Sequence, residues 1–184
     1  MRRTLKIIGL AILIIALLVF LAIAVIFFDL ASYTATGNQI LSSSGPSVGR
    51  ALVVYDPGLS GAAQKAAQLI AGDLQTKGYT VSLAGVRSAT ASNASGYAII
   101  VAGGPMYFGQ ATSSIEGFFR SLPIREQARV GAFVTTGSSQ YVSSDFASLQ
   151  RQLRSATPNE VTAQMVLDGS FDQNCSSLVV GLVR

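Results

Sequence analysis

Hydrophobic and polar positions divide the chain into a long apolar stretch and a region of short alternating patterns. Between Ile7 and Phe28 no residue is charged and none is proline. At 1.5 Å per residue, a helix over this run would be roughly 33 Å long, about the thickness of a bilayer's hydrocarbon core. A cleaved signal peptide has a shorter apolar core of roughly 7–15 residues. The pattern therefore predicts a retained transmembrane helix within residues 1–30.

From residue 50 onward, apolar runs alternate with segments of helical periodicity. Short apolar or alternating runs predict five strands, at Ala51–Tyr55, Tyr79–Leu83, Tyr97–Ala102, Val130–Thr135 and Glu160–Leu167. Apolar residues three and four positions apart predict helices at Ala62–Lys77, at Ser113–Leu122 and from Ser143 or Ser144 to Ala156. We expect the third strand to end at the Gly-Gly-Pro sequence that begins at Gly103. Strands that alternate with helices predict an α/β fold with a mostly parallel sheet.

The segment between the apolar run and the first strand differs in composition from both. Residues 32–49 are rich in Ser, Thr and Gly and contain no Lys, Arg, Asp or Glu. Such a composition is typical of a flexible tether. We therefore expect an anchor at residues 1–30, a tether at 31–49 and a single domain at 50–184.

Charge and composition exclude several classes of function. The 13 basic and 9 acidic residues give a net charge of +4, and the basic residues are scattered rather than clustered. This distribution does not indicate binding to nucleic acid. The chain contains no His, so imidazole-based catalysis and most zinc sites are excluded. Its one cysteine, Cys175, has no partner for an internal disulfide.

The distribution of positive charge also predicts an orientation for the anchor. Arg2, Arg3 and Lys6 precede the apolar run, and the next basic residue is Arg50. The positive-inside rule then places the N-terminus in the cytoplasm and the domain outside. We expect a single-pass protein of the cell membrane.

A parallel sheet binds ligands beyond the carboxyl ends of its strands. The loops to consider are therefore those after the first, third and fourth predicted strands. These are Asp56–Gly61, Gly103–Gly109 and Thr136–Ser144.

Three segments near the carboxyl ends of the predicted strands have distinctive sequences. The first strand ends in VVY and passes through a tight loop into an Ala-rich helix. The segment GGPMYFGQATSSIEGFFRSL follows the third strand, and FVTTGSSQ ends the fourth. In these segments the chain resembles the flavodoxin family, and the resemblance covers about residues 50–167. The resemblance implies a doubly wound, five-stranded parallel sheet of order 2-1-3-4-5 that follows the transmembrane helix. It also implies FMN as a cofactor and electron transfer as the activity.

The resemblance further implies which residues would contact FMN. The positions that match the phosphate loop are Gly58, Leu59, Ser60, Gly61 and Ala62. The positions that would contact the ring are Gly104, Pro105, Met106, Tyr107, Phe108, Gly109, Thr136, Gly137, Ser138 and Tyr141. No catalytic residue and no metal ligand is implied. An aromatic pair such as Tyr107 and Phe108 can also serve in packing alone.

The phosphate loop departs from the family pattern. Pro57, Leu59 and Ala62 occupy positions where the family has hydroxyl residues, and Asp56 adds a negative charge nearby. Each lost hydroxyl bond to a charged group is worth roughly 1.5–3 kcal/mol. Backbone N–H groups of the loop still offer a nest for an anion. The alternative is a plain strand-to-helix turn.

Two functions therefore stay open. The first is a membrane-anchored flavodoxin-like protein that binds FMN and transfers electrons to a redox or protein partner. The alternative is a cofactor-free flavodoxin-like module that binds a partner at the membrane surface. A hydrolase with Ser60 as nucleophile would lack a histidine base.

The C-terminus also departs from the family, which usually covers its sheet with a final helix. Too few residues follow Leu167 for a helix of full length. The apolar run Leu178–Arg184 fits either a strand or the start of a helix. We expect a partner, a second copy or an extra strand at Leu178–Val183 to cover that face.

Overall fold

The computed structural model describes residues 2–122, 128–137, 143–169 and 174–183. The helices are α1 Arg2–Thr36, α2 Ala62–Thr76, α3 Ala89–Ser92, α4 Ser113–Ser121, α5 Ser143–Ala156 and α6 Ser176–Val183. The strands are β1 Asn38–Leu41, β2 Gly49–Tyr55, β3 Tyr79–Gly85, β4 Ile99–Tyr107, β5 Gln110–Ala111, β6 Arg129–Thr135 and β7 Val161–Leu167.

The central sheet has the predicted order. Its five parallel strands run β3-β2-β4-β6-β7, which is the predicted 2-1-3-4-5 arrangement. Two short strands extend this core. β1 pairs antiparallel with the edge strand β3, and β5 pairs antiparallel with the end of β4. The doubly wound α/β fold predicted from the sequence is confirmed.

Helices cover both faces of the sheet, so the central strands are buried on both sides. On β2, Val53 faces the cluster formed with α2 and α6, whereas Leu52 and Val54 face the cluster formed with α4 and α5. Side chains alternate between faces along a strand, and both faces here are apolar. This explains why the strands read as continuous apolar runs in the sequence.

The third predicted strand is longer than expected. β4 does not end at Gly103 but continues to Tyr107, because Gly103, Gly104 and Pro105 pair in register with Phe133, Val134 and Thr135 of β6. A Cβ at Gly103 would lie 2.2 Å from the carbonyl oxygen of Phe133. The glycine thus allows the two strands to approach, and the ladder runs through a sequence that we interpreted as a strand end.

A short helix covers the face for which we expected an extra strand, a partner or a second copy. The sequence left a strand and the start of a helix open for Leu178–Val183. These residues lie in α6, a helix of eight residues, so the extra strand is wrong and the helix is confirmed. Leu178, Val179 and Leu182 are buried in the same core cluster as α2. Two helical turns suffice here because Gly131 of β6 lets Leu182 approach closely.

Cys175 lies immediately before α6 and is buried. Burial raises the pKa of its thiol to about 11, and the nearby Asp73 carboxylate adds to the rise. The thiol is therefore neutral near pH 7 and packs as a small apolar group.

The N-terminal helix is long and apolar enough to cross a membrane. Its span Lys6–Val25 has a mean hydropathy of 3.3, and none of it is buried against the domain. α1 continues to Thr36, and Gly37 alone separates it from β1. Part of the segment that we expected to be a flexible tether, residues 31–49, therefore has regular structure.

Backbone hydrogen bonds attach the end of α1 to the sheet. Gly85 donates its N–H to the carbonyl of Gly37 at 2.7 Å, and Arg87 donates to the carbonyl of Ala35 at 2.8 Å. A Cβ on Gly85 would lie 2.1 Å from the Ala35 oxygen, so only glycine permits this contact. We call Ala35–Gly37 together with Gly85–Arg87 the anchor junction.

Candidate functional site

A cleft of about 450 Å³ lies at the carboxyl edge of the sheet. Four strands end there, and the walls are formed by the end of β4 together with residues at or after the ends of β2, β6 and β7. The lining residues are Leu59, Ser60, Pro105, Met106, Tyr107, Thr135, Thr136, Gly137, Asp168 and Gly169. This is the edge at which parallel α/β sheets hold their ligands.

The loop after β2 is organised around Asp56. Its backbone N–H donates to the carbonyl of Gly103 at 2.9 Å. One carboxylate oxygen accepts the N–H of Gly58 at 3.1 Å, and the other accepts the hydroxyl of Ser114 from α4. Asp56 therefore connects the loop to β4 and α4 through hydrogen bonds. Its carboxylate also lies beside the place where the resemblance would put a phosphate.

Several N–H groups of this loop already have partners within the protein. The N–H of Leu59 donates to the hydroxyl oxygen of Tyr107 at 3.3 Å. The N–H of Ala62 donates to the hydroxyl oxygen of Ser60 at 3.3 Å. With Gly58 bonded to Asp56, three of the five expected nest donors are engaged, and Pro57 has no N–H to offer.

Steric contact also holds the loop in place. Gly58 has a φ of 63°, and a Cβ there would lie 2.7 Å from Cγ of Pro105. The loop after β2 thus packs directly on the end of β4. Gly61, with a φ of 75°, directly precedes α2 and makes no side-chain cap.

The loop after β4 is a tight hairpin that displays aromatic side chains. Tyr107 pairs with Gln110, and the two residues between them have positive φ, 51° at Phe108 and 76° at Gly109. This is the geometry of a type I′ turn. It holds Phe108 fully exposed at the tip, whereas Tyr107 is 44% exposed at the mouth of the cleft and Met106 is buried.

The loops after β6 and β7 close the opposite wall. Thr136 donates its N–H to the carbonyl of Leu167 at 2.8 Å. A Cβ on Gly169 would lie 2.8 Å from the Thr136 oxygen, so glycine permits this close approach. Asp168 is the one charged side chain among the described residues that line the cleft.

The predicted site residues divide into three groups. Those that line the cleft are Leu59, Ser60, Pro105, Met106, Tyr107, Thr136 and Gly137. Those that shape its loops without lining it are Gly58, Gly61, Ala62, Gly104, Phe108 and Gly109. Ser138 and Tyr141 lie outside the described residues.

Sequence reasoning missed three lining residues: Thr135, Asp168 and Gly169. Asp168 and Gly169 directly follow the fifth predicted strand. Because parallel strands end at the same edge, the rule that pointed to the other three loops also applies to this one.

The cleft fits the two halves of FMN unequally. The ring half has Tyr107 at the mouth as an aromatic face for stacking, and a Cβ on Gly137 would meet nothing within 4 Å, so the backbone there leaves space beside it. The phosphate half does not fit the loop as it stands. Asp56 and the engaged N–H groups of Gly58, Leu59 and Ala62 leave little for a dianion, and the described lining includes no Lys or Arg.

The arrangement of strands and loops is that of a flavodoxin-like fold. Oxidised Flavodoxin 2 from Bacillus cereus superposes with a TM-score of 0.55 and 16% identity, over 72% of this chain and 97% of that one. The flavodoxin of Streptococcus pneumonia TIGR4 superposes with a TM-score of 0.50 and 14% identity, over 71% and 90% of the two chains. No family model and no curated protein sequence matches the chain.

Proposed function

We propose that this chain is a membrane-anchored flavodoxin-like protein that binds a flavin ring in the cleft and takes part in electron transfer. The observation that carries the proposal is the cleft of about 450 Å³ between the end of β4 and the loops that follow β2, β6 and β7. The similarity of the fold to two flavodoxins supports it.

The residues that would hold the ring are Tyr107, Thr136 and Gly137. A half-exposed tyrosine ring offers an apolar face for stacking. Backbone groups near Gly137 can approach a ring edge without a side chain between them. A bound flavin supplies one- and two-electron chemistry, and the protein supplies position and exclusion of water.

The degenerate phosphate loop affects which flavins the proposed site would distinguish. Binding through the ring predicts that FMN has no large advantage over riboflavin, which lacks the phosphate. Charge-assisted hydrogen bonds to a phosphate would each be worth roughly 1.5–3 kcal/mol, and the loop offers few donors for them.

Flavin titration of the full chain in detergent tests the proposal. We expect saturable quenching of flavin fluorescence, weakened in Tyr107→Ala and retained in Tyr107→Phe, which keeps the ring and loses only the hydroxyl. No flavin binding at micromolar concentrations of protein and flavin would overturn the proposal.

The second candidate is a cofactor-free binding module at the membrane surface. The hydrogen bonds of Gly58, Leu59 and Ala62 within the protein favour it, because they stabilise the loop with no ligand present. Calorimetry would support this function over the first if addition of a protein partner releases or absorbs heat while addition of flavin does not.

The orientation is part of the same proposal. Three basic residues precede the apolar span, which supports a cytoplasmic N-terminus and a domain outside. Protease added to intact cells should then digest the domain. A domain that is protected until the cells are opened would reverse the orientation.

A further inference from the structure

The anchor junction and the cleft lie at the same edge of the sheet. Gly85, at the end of β3, pairs in register with Tyr55, at the end of β2. The N–H of Val86 also bonds to the Tyr55 carbonyl at 2.9 Å. Neighbouring strands lie about 4.8 Å apart, so the loop after β2 begins one strand away from the junction.

Little chain separates the junction from the apolar span. The helix continues from Phe28 to Ala35 and covers only about 10 Å at 1.5 Å per residue. The headgroup layer on one side of a bilayer is roughly 5–8 Å thick, from the difference between its total and hydrocarbon thickness. The carboxyl edge of the sheet therefore lies next to the headgroups when α1 spans a bilayer.

The rim of the cleft is apolar and exposed at this edge. Leu59 is 74% exposed, and Phe108 is fully exposed in the strained left-handed region. Outside α1, the other large hydrophobic side chains exposed in the described chain are Ile40, Val48, Tyr107 and Val180, and Tyr107 also belongs to this rim. Aromatic and leucine side chains at such a depth are typical of contacts with the membrane interface.

A basic side chain lies in the anchor junction, at the same edge of the sheet as this rim. Arg87 is exposed and belongs to the anchor junction. A guanidinium at this position suits the phosphate groups of lipids. An apolar rim with an arginine at the same edge is complementary to a lipid surface, which offers apolar chains and phosphate groups.

We propose that the cleft faces the bilayer that holds α1, and that Leu59 and Phe108 contact the lipid interface. The occupant of this surface is the membrane itself. A ligand or redox partner would then reach the cleft along the membrane surface. The proposal rests on the membrane anchor of the proposed function but not on flavin binding.

Short-range quenching by lipids tests the orientation. In a Cys175→Ala background, Phe108→Cys carries an environment-sensitive fluorophore, and the full chain is reconstituted in phosphatidylcholine vesicles with headgroup spin labels. Ser95→Cys is the matched control, because it is exposed in the loop before β4 at the opposite edge. Seven residues of strand separate the two edges by about 23 Å.

We expect a blue shift and several-fold stronger quenching at position 108 than at position 95. A second label at Leu59→Cys should behave like position 108. Equal quenching at both edges, in chains that float with the vesicles, would overturn the orientation and leave the anchor standing. Chains that do not float with vesicles would overturn the anchor and the orientation together.

Discussion

At the scale of single residues, Asp56 is the side chain that we expect to lower the affinity of the proposed site for a phosphate group. Its carboxylate accepts from Gly58 and Ser114, so it shapes the loop and also keeps a negative charge beside it. An asparagine at this position retains an oxygen for Gly58 and removes the charge. Its effect therefore separates the electrostatic role of Asp56 from its structural role.

We predict that Asp56→Asn raises the affinity for FMN relative to riboflavin by about tenfold. A unit charge close to a dianion costs on the order of 1–2 kcal/mol even with strong solvent screening, and about 1.4 kcal/mol is a factor of ten. The measurement is the ratio of the two dissociation constants, obtained from quenching of flavin fluorescence.

Ser114→Ala is the control for Asp56→Asn. It removes the hydroxyl that donates to Asp56 but leaves the carboxylate in place. The ratio of dissociation constants should not rise in this variant. An unchanged ratio in Asp56→Asn would mean that charge does not govern the recognition of phosphate.

Residues in loops were predictable only where general rules of parallel sheets apply. The sequence identified Asp56, Pro57 and Tyr107, and these do meet at one edge. It did not reveal that the N–H of Leu59 bonds to the Tyr107 hydroxyl, because those residues are 48 positions apart. Nor did it reveal the exposure of Phe108, which depends on a hairpin two residues long.

At the scale of elements, the short helix α6 covers one face of the sheet together with α2. Leu182 is fully buried, and a Cβ on Gly131 of β6 would lie 2.9 Å from its Cδ1. Arg129 also donates to the Leu182 carbonyl at 2.7 Å, which fixes the last turn of the helix. α6 is therefore an integral part of the core.

We predict that Leu182→Ala lowers the free energy of unfolding by roughly 2–5 kcal/mol, the usual range for a large buried aliphatic side chain. Val180→Ala in the same helix should change it by less than about 0.5–1 kcal/mol, because Val180 is 36% exposed. Urea denaturation in detergent measures both. Similar losses in the two variants would contradict the packing described for α6.

Cys175 makes the stability of this region depend on pH. Burial raises the pKa of the thiol from 9.0 to about 11 in the folded chain. Between these values the unfolded chain loses the proton first. The contribution of the neutral thiol is therefore fully present below about pH 9 and is lost as the pH rises to about 11.

We predict that the native chain loses more stability between pH 8 and pH 11 than Cys175→Ala does. The measurement is the urea midpoint of both proteins across this range. All other ionisable groups are the same in both proteins, so the difference between them isolates the thiol. Parallel curves would show that the thiol does not titrate as its burial requires.

Elements with strong patterns were predictable, and those with weak patterns were not. The central strands β2, β4 and β6 are buried on both faces and produced apolar runs, and α2 produced a clear stripe. β1 has only four residues, with Ile40 exposed, so neither alternation nor a continuous apolar run marks it. α6 is apolar on nearly every side, and such a run of eight residues favours helix and strand equally.

At the scale of the whole molecule, the anchor junction connects α1 to the sheet. Gly85 lies against the carbonyl of Ala35 and leaves no space for a methyl group. Its N–H bond to Gly37 continues directly into the β1–β3 ladder. The domain is thus attached through hydrogen bonds and packing as well as through the chain.

We predict that Gly85→Val separates α1 from β3 while the rest of the sheet stays folded, because β3 retains its pairing with β2. Limited proteolysis should then cut near residues 36–42, whereas we expect the native chain to resist cleavage there. Gly72→Ala is the control, because a methyl group there meets nothing within 4 Å. Resistance of Gly85→Val equal to that of the control would contradict the close contact.

The direct continuation of α1 into the sheet also determines which way the domain is turned. One residue added between Phe28 and Ala35 rotates everything beyond it by about 100° around the helix axis, since a turn holds 3.6 residues. Insertion of a nearly complete turn would restore the heading and raise the body by about 5 Å. The number of residues in this helix therefore determines the rotation of the domain about the helix axis. When α1 spans a bilayer, this rotation determines which surface of the domain faces neighbouring membrane proteins.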